Sequence, residues 1–282
     1  MTLKEWLEKG EGELLAGPHP ERARRDAESL LLYLMGKNRA WLLAHLQDEF
    51  AGCTAIRYAA HLRRRGAGEP LQYIIGETEF YGLPFRVTPE VLVPRPETEH
   101  LVEKVLELSA HFPAPRILDI GTGSGAIAVA LAHVLPGARV TAVDLSIGAL
   151  DVARDNARLN HLAERIRFLH GDLLAPVSGE TFDIVVSNPP YIPLADRPSL
   201  AVEVRDFEPT ESLFAGEDGL DFYRSIPPSA YALLTPGGFL ALEVGYGQQA
   251  GVLALLSSAG FSCIAFTPDL QGIPRVATAQ RV

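Results

Sequence analysis

The chain has 282 residues, 47% of them hydrophobic and 21% charged, with a formal net charge of −10. That composition can fill one large core or a small and a medium one, and it excludes disordered, collagenous and disulfide-stapled classes. No apolar run reaches the ~18 residues of a membrane span, and the charged opening MTLKEWLEKGEGELL lacks the core of a secretion signal.

Cys53 and Cys263 are too few and too far apart for a disulfide framework or a metal site. They are expected to be reduced, small apolar residues in a cytoplasmic protein. The histidines show no ligand spacing, so no metal is expected. Charge is uneven along the chain. Residues 1–75 hold 11 Lys/Arg and 10 Asp/Glu, whereas residues 76–282 hold 14 and 25. The larger part should repel a polyanion such as DNA unless a local patch overrides the total.

Residues 1–75 read as a small helical domain. In ERARRDAESLLLYLMG, Ala23, Ala27, Leu30, Leu31 and Leu34 share one helical face, and Gly36 is a stop. RAWLLAHL and CTAIRYAAHLRRRGAGEP are further helical stretches. Arg63, Arg64 and Arg65 end a helix, where positive charge suits the dipole; a partner-binding patch is the alternative. The stretch LQYIIGETEFYGLPFRVTPEVLVPRPE then turns β-branched and aromatic, with Gly and Pro as punctuation. It predicts one or two short hairpins, and residues 76–95 are expected to form a β-hairpin linker.

From residue 96 to 282, strands and helices alternate. RILDI, RVTAVD, IRFLH, FDIVVSN, GFLALEV, CIAF and RVATAQ read as strands. AIAVALAHVL, ALDVARDNARLN, DFYRSIPPSAYALL and QQAGVLALLSSAG read as helices. The pattern predicts an α/β domain, a seven-stranded, mostly parallel, Rossmann-like sheet with its ligands beyond the carboxyl ends of the strands.

Four of those ends carry polar signals. The first strand runs into DIGTGSGA, Asp119 to Ala126, where glycines let the backbone lie close to a ligand at a helix N-terminus. The second ends in Asp144, an acceptor suited to two ribose hydroxyls, with capping of the next helix as the alternative. After the third, Asp172 can accept from an adenine amino group while Leu173 packs on the ring; a simple turn is the alternative.

The fourth strand ends in VVSNPPYIP. A planar conjugated NH2 group is a poor nucleophile until acceptors take its hydrogens and orient its lone pair. The Asn188 side-chain oxygen is one such acceptor, and the carbonyl of Pro189 is a second. Pro189 and Pro190 stiffen the turn, and Tyr191 can stack on the flat group. This chemistry suits methyl transfer to an amide or exocyclic amine. The glycine run and Asp144, taken alone, fit NAD as well as S-adenosylmethionine.

The segments DIGTGSGAIAVALA, AVDLSIGALDVARDNA and SNPPYIP resemble a class I S-adenosylmethionine-dependent methyltransferase acting on an amino nitrogen. VLVPRPETEHLVE, DFEPTESLFAGEDGLDFYR, LALEVGYGQ and RVATAQ narrow the resemblance to the release-factor glutamine methyltransferase family, from about Tyr73 to the end. The resemblance implies N5-methylation of the glutamine in the Gly-Gly-Gln loop of peptide-chain release factors. It implies S-adenosylmethionine as cofactor, S-adenosylhomocysteine as product and a substrate-recognition role for residues 1–75. Asp119, Gly121, Thr122, Gly123, Ser124, Gly125, Asp144, Asp172, Leu173 and Asn188 would meet the cofactor. The substrate glutamine would lie on Asn188, Pro189, Pro190 and Tyr191. Arg95, in PRPET, would either help that segment close over the site or pair with an acid such as Glu208.

Four rival functions bear on the same residues. A DNA adenine methyltransferase shares the Asn-Pro-Pro-Tyr motif, but it needs base extrusion and a long cationic groove, and this chain shows no base-reading insertion. A glutamine methyltransferase of a ribosomal protein differs only in its partner. An NAD-dependent oxidoreductase leaves the motif unexplained, and a non-enzymatic binding module leaves the intact catalytic positions unexplained. The expected assembly is a monomer.

Overall fold

The computed structural model describes residues 1–282. The chain divides into two compact units, one made of residues 1–76 with 200–207, the other of 77–199 with 208–282.

The first unit is helical. Helix α1 (Leu3–Leu15) starts on a capping box in which the Thr2 hydroxyl accepts from the Glu5 amide and the Glu5 carboxylate accepts from the Thr2 amide. Helix α2 (Ala23–Met35) stops at Gly36 in the left-handed conformation, φ 59°. Helices α3 (Arg39–Ala44), α4 (Gly52–Gly66) and α5 (Leu71–Ile75) complete the set. Leu7, Leu30, Leu31, Tyr58 and Leu62 form its core, and the Tyr58 hydroxyl donates to the Ala27 carbonyl. Of the expected α2 face, Ala23, Ala27, Leu30 and Leu31 are buried, and Leu34 packs at the edge.

LQYII is helical rather than part of a hairpin. Pro70 pre-sets the helix start, and Gly76, at φ 84°, ends the turn that the β-branched residues would otherwise extend. Arg65 is not a free surface charge. It is buried against Asp26 at 2.6 Å and Glu203 at 2.9 Å, while Arg64 pairs with Glu69 and Arg63 stays exposed. Cys53 and Cys263 are free thiols that lie on the surface.

The second unit begins with an antiparallel hairpin, β1 (Glu77–Phe80) and β2 (Leu83–Arg86). Within it Phe80 and Phe85 are buried in this unit's core with helix α6 (Glu99–Ser109). The alternating elements follow: β3 (Arg116–Ile120), α7 (Ala126–Val134), β4 (Arg139–Asp144), α8 (Ile147–Leu159), β5 (Ile166–His170) and β6 (Phe182–Ser187). Helix α7 is apolar all round and buried from Ala126 to Ala132, as such a helix must be.

Helix α9 (Val202–Phe207) lies in the stretch counted with the first unit. Then come α10 (Asp221–Leu233), β7 (Leu234–Glu243), α11 (Gln249–Ser258), β8 (Ser262–Pro268) and β9 (Pro274–Gln280). The seven strands form one sheet in the order β5-β4-β3-β6-β7-β9-β8. β5, β4, β3, β6 and β7 are parallel, and β9 enters antiparallel beside β7. The strand order reverses between β3 and β6, so the crevice for a ligand lies there. Pairing of Ile120 with Ser187 sets the glycine loop and Asn188 side by side.

Candidate active site

A cavity of about 590 Å³ sits over the carboxyl ends of β5, β4, β3 and β6, within the volume range of small-molecule sites. Gly121, Gly123, Asp144, Asp172, Leu173, Asn188 and Pro190 line it, with Leu145, Phe222 and Glu211 among their neighbours. The glycines have a stated reason to be there. Gly121 and Gly123 hold φ of 68° and 55°, and a Cβ at either would meet no protein atom within 4 Å. Since both line the cavity, the added carbon would take ligand space. Gly125, at φ 80°, faces the other way, and its Cβ would come within 3.2 Å of the Ala153 backbone.

Asp144 is fixed by the backbone. Its Oδ2 accepts from the Gly123 amide at 2.8 Å and its Oδ1 from the Ser146 amide at 2.9 Å. Capping of α8 falls to Ser146, whose hydroxyl accepts from the Ala149 amide. Asp172 is exposed on the cavity wall. Leu173 holds φ 46°, a strained conformation for a residue with a Cβ, and such strain clusters where a side chain is aimed at a ligand.

Of the other residues expected at the cofactor, Asp119, Thr122 and Ser124 are buried, and neither they nor Gly125 line the cavity. Asp119 is fully buried and accepts from the Thr122 hydroxyl at 2.6 Å. Burial raises its carboxyl to about 7, the Thr122 hydrogen bond opposing and the Asp144 charge adding. The Ser124 carbonyl accepts from Asn156, whose amide also exchanges two hydrogen bonds with the Arg86 backbone. Asn156 thus ties the glycine loop to the hairpin. Nothing in the helical pattern of ALDVARDNARLN marks it apart from the other polar residues.

At the β6 end, Pro189 is buried and Tyr191 is largely covered. The Tyr191 carbonyl accepts from Gln248 Nε2 at 2.8 Å, and its hydroxyl lies 3.5 Å from Glu243 Oε1. Burial, with the Glu243 charge next, pushes the Tyr191 phenol well above its ordinary range. Asn188 Nδ2 donates to Thr98 Oγ1 at 3.1 Å, and the Thr98 hydroxyl donates to Glu243 Oε2 at 2.7 Å. Arg95 takes the second of its two expected roles, an ion pair with the buried Glu208 at 2.5 Å. Thr98 and Glu243 were not expected at the site. A lone carboxylate closing the apolar strand GFLALEV was the available signal.

The sheet order and a ligand crevice at the strand-order switch define a class I methyltransferase. A family model for the methyltransferase small domain matches residues 97–202, and a model for the PrmC N-terminal domain matches residues 5–76. Among solved structures, the hMettl16 catalytic domain in complex with MAT2A 3'UTR hairpin 1 superposes with a TM-score of 0.59 at 19% identity, over 89% of this chain and 90% of that one. A methyltransferase from Pyrococcus furiosus gives 0.51 at 18% identity, over 80% and 96%. At such identities the likeness is one of fold.

Sequence relatives are much nearer. The release factor glutamine methyltransferase of Moorella thermoacetica is 47% identical over 100% of this chain and 99% of its own length. Those of Geobacter sulfurreducens and Koribacter versatilis are 44% and 40% identical, over 98% and 100% of this chain and 95% and 99% of their own lengths. The chain belongs to the release factor glutamine methyltransferase family, and is an S-adenosylmethionine-dependent enzyme of that kind.

Proposed function

We propose that this protein methylates the side-chain amide nitrogen of the glutamine in the Gly-Gly-Gln loop of peptide-chain release factors. The observation that carries the reading is the placement of Asn188 and Pro190 on the wall of the same cavity as Gly121, Gly123, Asp144 and Asp172. One group of residues suits an adenosine, and the other suits a planar amide. S-adenosylmethionine, when bound, supplies an activated methyl on a positively charged sulfur.

The residues present fit that cofactor. The side-chain-free wall at Gly121 and Gly123 admits close approach, Asp144 offers carboxylate oxygens to ribose hydroxyls, and Asp172 and Leu173 suit an adenine edge and face. Thr122, Ser124 and Gly125 act through the shape of the loop. Asn188 Oδ1 accepts one N–H of the substrate amide, and the Pro189 carbonyl takes the second. Tyr191 bounds the flat group.

So held, the amide nitrogen would present its lone pair toward the methyl that the bound cofactor would supply. The nitrogen then loses a proton to water. No side chain needs to act as a strong base, and alignment with exclusion of water carries most of the acceleration. In this reading the helical residues 1–75 recognise the release factor, and the enzyme works as a cytoplasmic monomer.

The test is methyl transfer from labelled S-adenosylmethionine to purified release factor. It runs beside the same factor with the Gly-Gly-Gln glutamine changed to alanine, a ribosomal-protein fraction and duplex DNA. Label on the intact factor alone is expected. Label on DNA or on a ribosomal protein instead would overturn the substrate.

A further inference from the structure

Three segments far apart in sequence meet in one hydrogen-bond relay at the acceptor end of the cavity. It runs from Asn188 Nδ2 to Thr98 Oγ1 at 3.1 Å, and from the Thr98 hydroxyl to Glu243 Oε2 at 2.7 Å. Thr98 is 4% exposed and Glu243 2%, so water does not compete for these partners. Around the Glu243 carboxylate stand Thr98 and Glu97 from the turn before α6, Tyr191 after β6 and Arg275 of β9. The Tyr223 hydroxyl of α10 donates to the Glu243 backbone carbonyl.

The relay has a direction. A hydroxyl has a single proton to give, and an ionised carboxylate can only accept. Thr98 therefore spends its proton on Glu243 and offers Asn188 a lone pair. Asn188 must answer with its NH2 end, which leaves Oδ1 for the cavity. The two ends of an asparagine amide have nearly the same shape, so packing alone could not choose between them.

We infer that Glu243 and Thr98 are positioning residues that set which end of the Asn188 amide faces the substrate. The inference rests on the reading that Asn188 accepts an N–H of the substrate amide. With the amide reversed, one NH2 would face another, donor against donor. Burial raises the Glu243 carboxyl to about 7, the Thr98 hydrogen bond and Arg275 opposing. A protonated Glu243 can donate back to Thr98, and the constraint on Asn188 is then released. Turnover should accordingly rise with pH through this region.

The full-length enzyme is assayed on release factor as wild type, Thr98→Val, Thr98→Ser and Glu243→Gln. Thr98→Val keeps the shape and loses the relay, so kcat should fall about tenfold or more with both KM values held within about twofold, the scale of one lost hydrogen bond in the transition state. Thr98→Ser should restore the rate, and Glu243→Gln should flatten the pH profile. Equal kcat for the Val and Ser variants would overturn the inference.

A second readout needs no turnover. In protein labelled at asparagine nitrogen, the Asn188 side-chain NH2 signal, assigned by its loss in Asn188→Ala, should titrate near neutral pH in wild type and not in Thr98→Val. A signal that does not titrate in wild type would also overturn the relay. If the signal titrates as expected but wild type leaves release factor unmethylated, the relay stands and the substrate assignment fails.

Discussion

One cavity is held at its two ends by different means. Under β3, β4 and β5 it is built largely from backbone: the Gly121–Gly125 loop, the amides that clamp Asp144, and the turn at Leu173. At the β6 end it is lined by Asn188 and Pro190, and Asn188 is joined through side-chain hydrogen bonds to Thr98 and on to Glu243. A backbone wall offers close approach and fixed dipoles to a ligand whose shape does not change during reaction. A side-chain relay offers a choice of donor or acceptor, which matters where a nitrogen must be turned toward a methyl group. The first end should therefore govern affinity, and the second should govern rate.

Asn188→Ala should break the second end most severely. On the order of 10²–10³-fold in kcat is expected, the scale seen when one preorganised hydrogen-bonding group is removed from a reacting centre. Cofactor affinity by titration calorimetry should change little. Asp144→Ala should do the reverse. Cofactor affinity should weaken roughly 10- to 100-fold, the scale of a lost charge-assisted hydrogen bond or two, and kcat at saturating cofactor should be largely kept.

Two alanine variants sharpen the description of the backbone end. Gly123→Ala should weaken cofactor binding by about tenfold, because its Cβ takes cavity space, with a strain of roughly 1 kcal/mol on the fold. Gly125→Ala should instead lower stability by about 1–3 kcal/mol, because its Cβ meets the Ala153 backbone. Denaturant unfolding beside a binding titration separates the two.

Stability should also vary with pH. Glu243 and Asp119 both titrate near 7 when folded, above ordinary values of 4.5 and 3.8. Across the window between those values and about 7 the folded state binds the extra protons, so stability is highest below the window and falls as pH rises through it. Glu243→Gln and Asp119→Asn should each remove part of that slope in urea midpoints measured from pH 4.5 to 8.

The same contrast explains what was legible in the sequence. A glycine run after an apolar strand, an acid at the end of the next strand and two prolines after Asn188 are local patterns. Each can be recognised without knowing what lies beside it in space. The alternation from Arg116 onward gave the parallel sheet for the same reason. Thr98 offers no such pattern, and the acid that closes GFLALEV does not name its partners. Their roles depend on partners 90 and 145 residues away: the register of β6 against β7 brings the Asn188 and Glu243 ends together, and the turn before α6 brings Thr98 to both. The Arg63–Arg65 run ends α4 as its pattern implies, but the burial of Arg65 is not legible because its acids, Asp26 and Glu203, lie 39 and 138 residues off. A motif does not say which of its residues point inward, so the burial of Asp119, Thr122 and Ser124 was not legible in it.

The most direct test of two separable ends is the double variant Asp144→Ala with Asn188→Ala, compared with both single variants in kcat/KM for cofactor on release factor. Independent ends predict that the losses multiply, with a coupling below about 0.5 kcal/mol. A double variant no slower than the worse single one would mean that Asp144 and Asn188 act as a single unit, and the division between affinity and rate would be wrong.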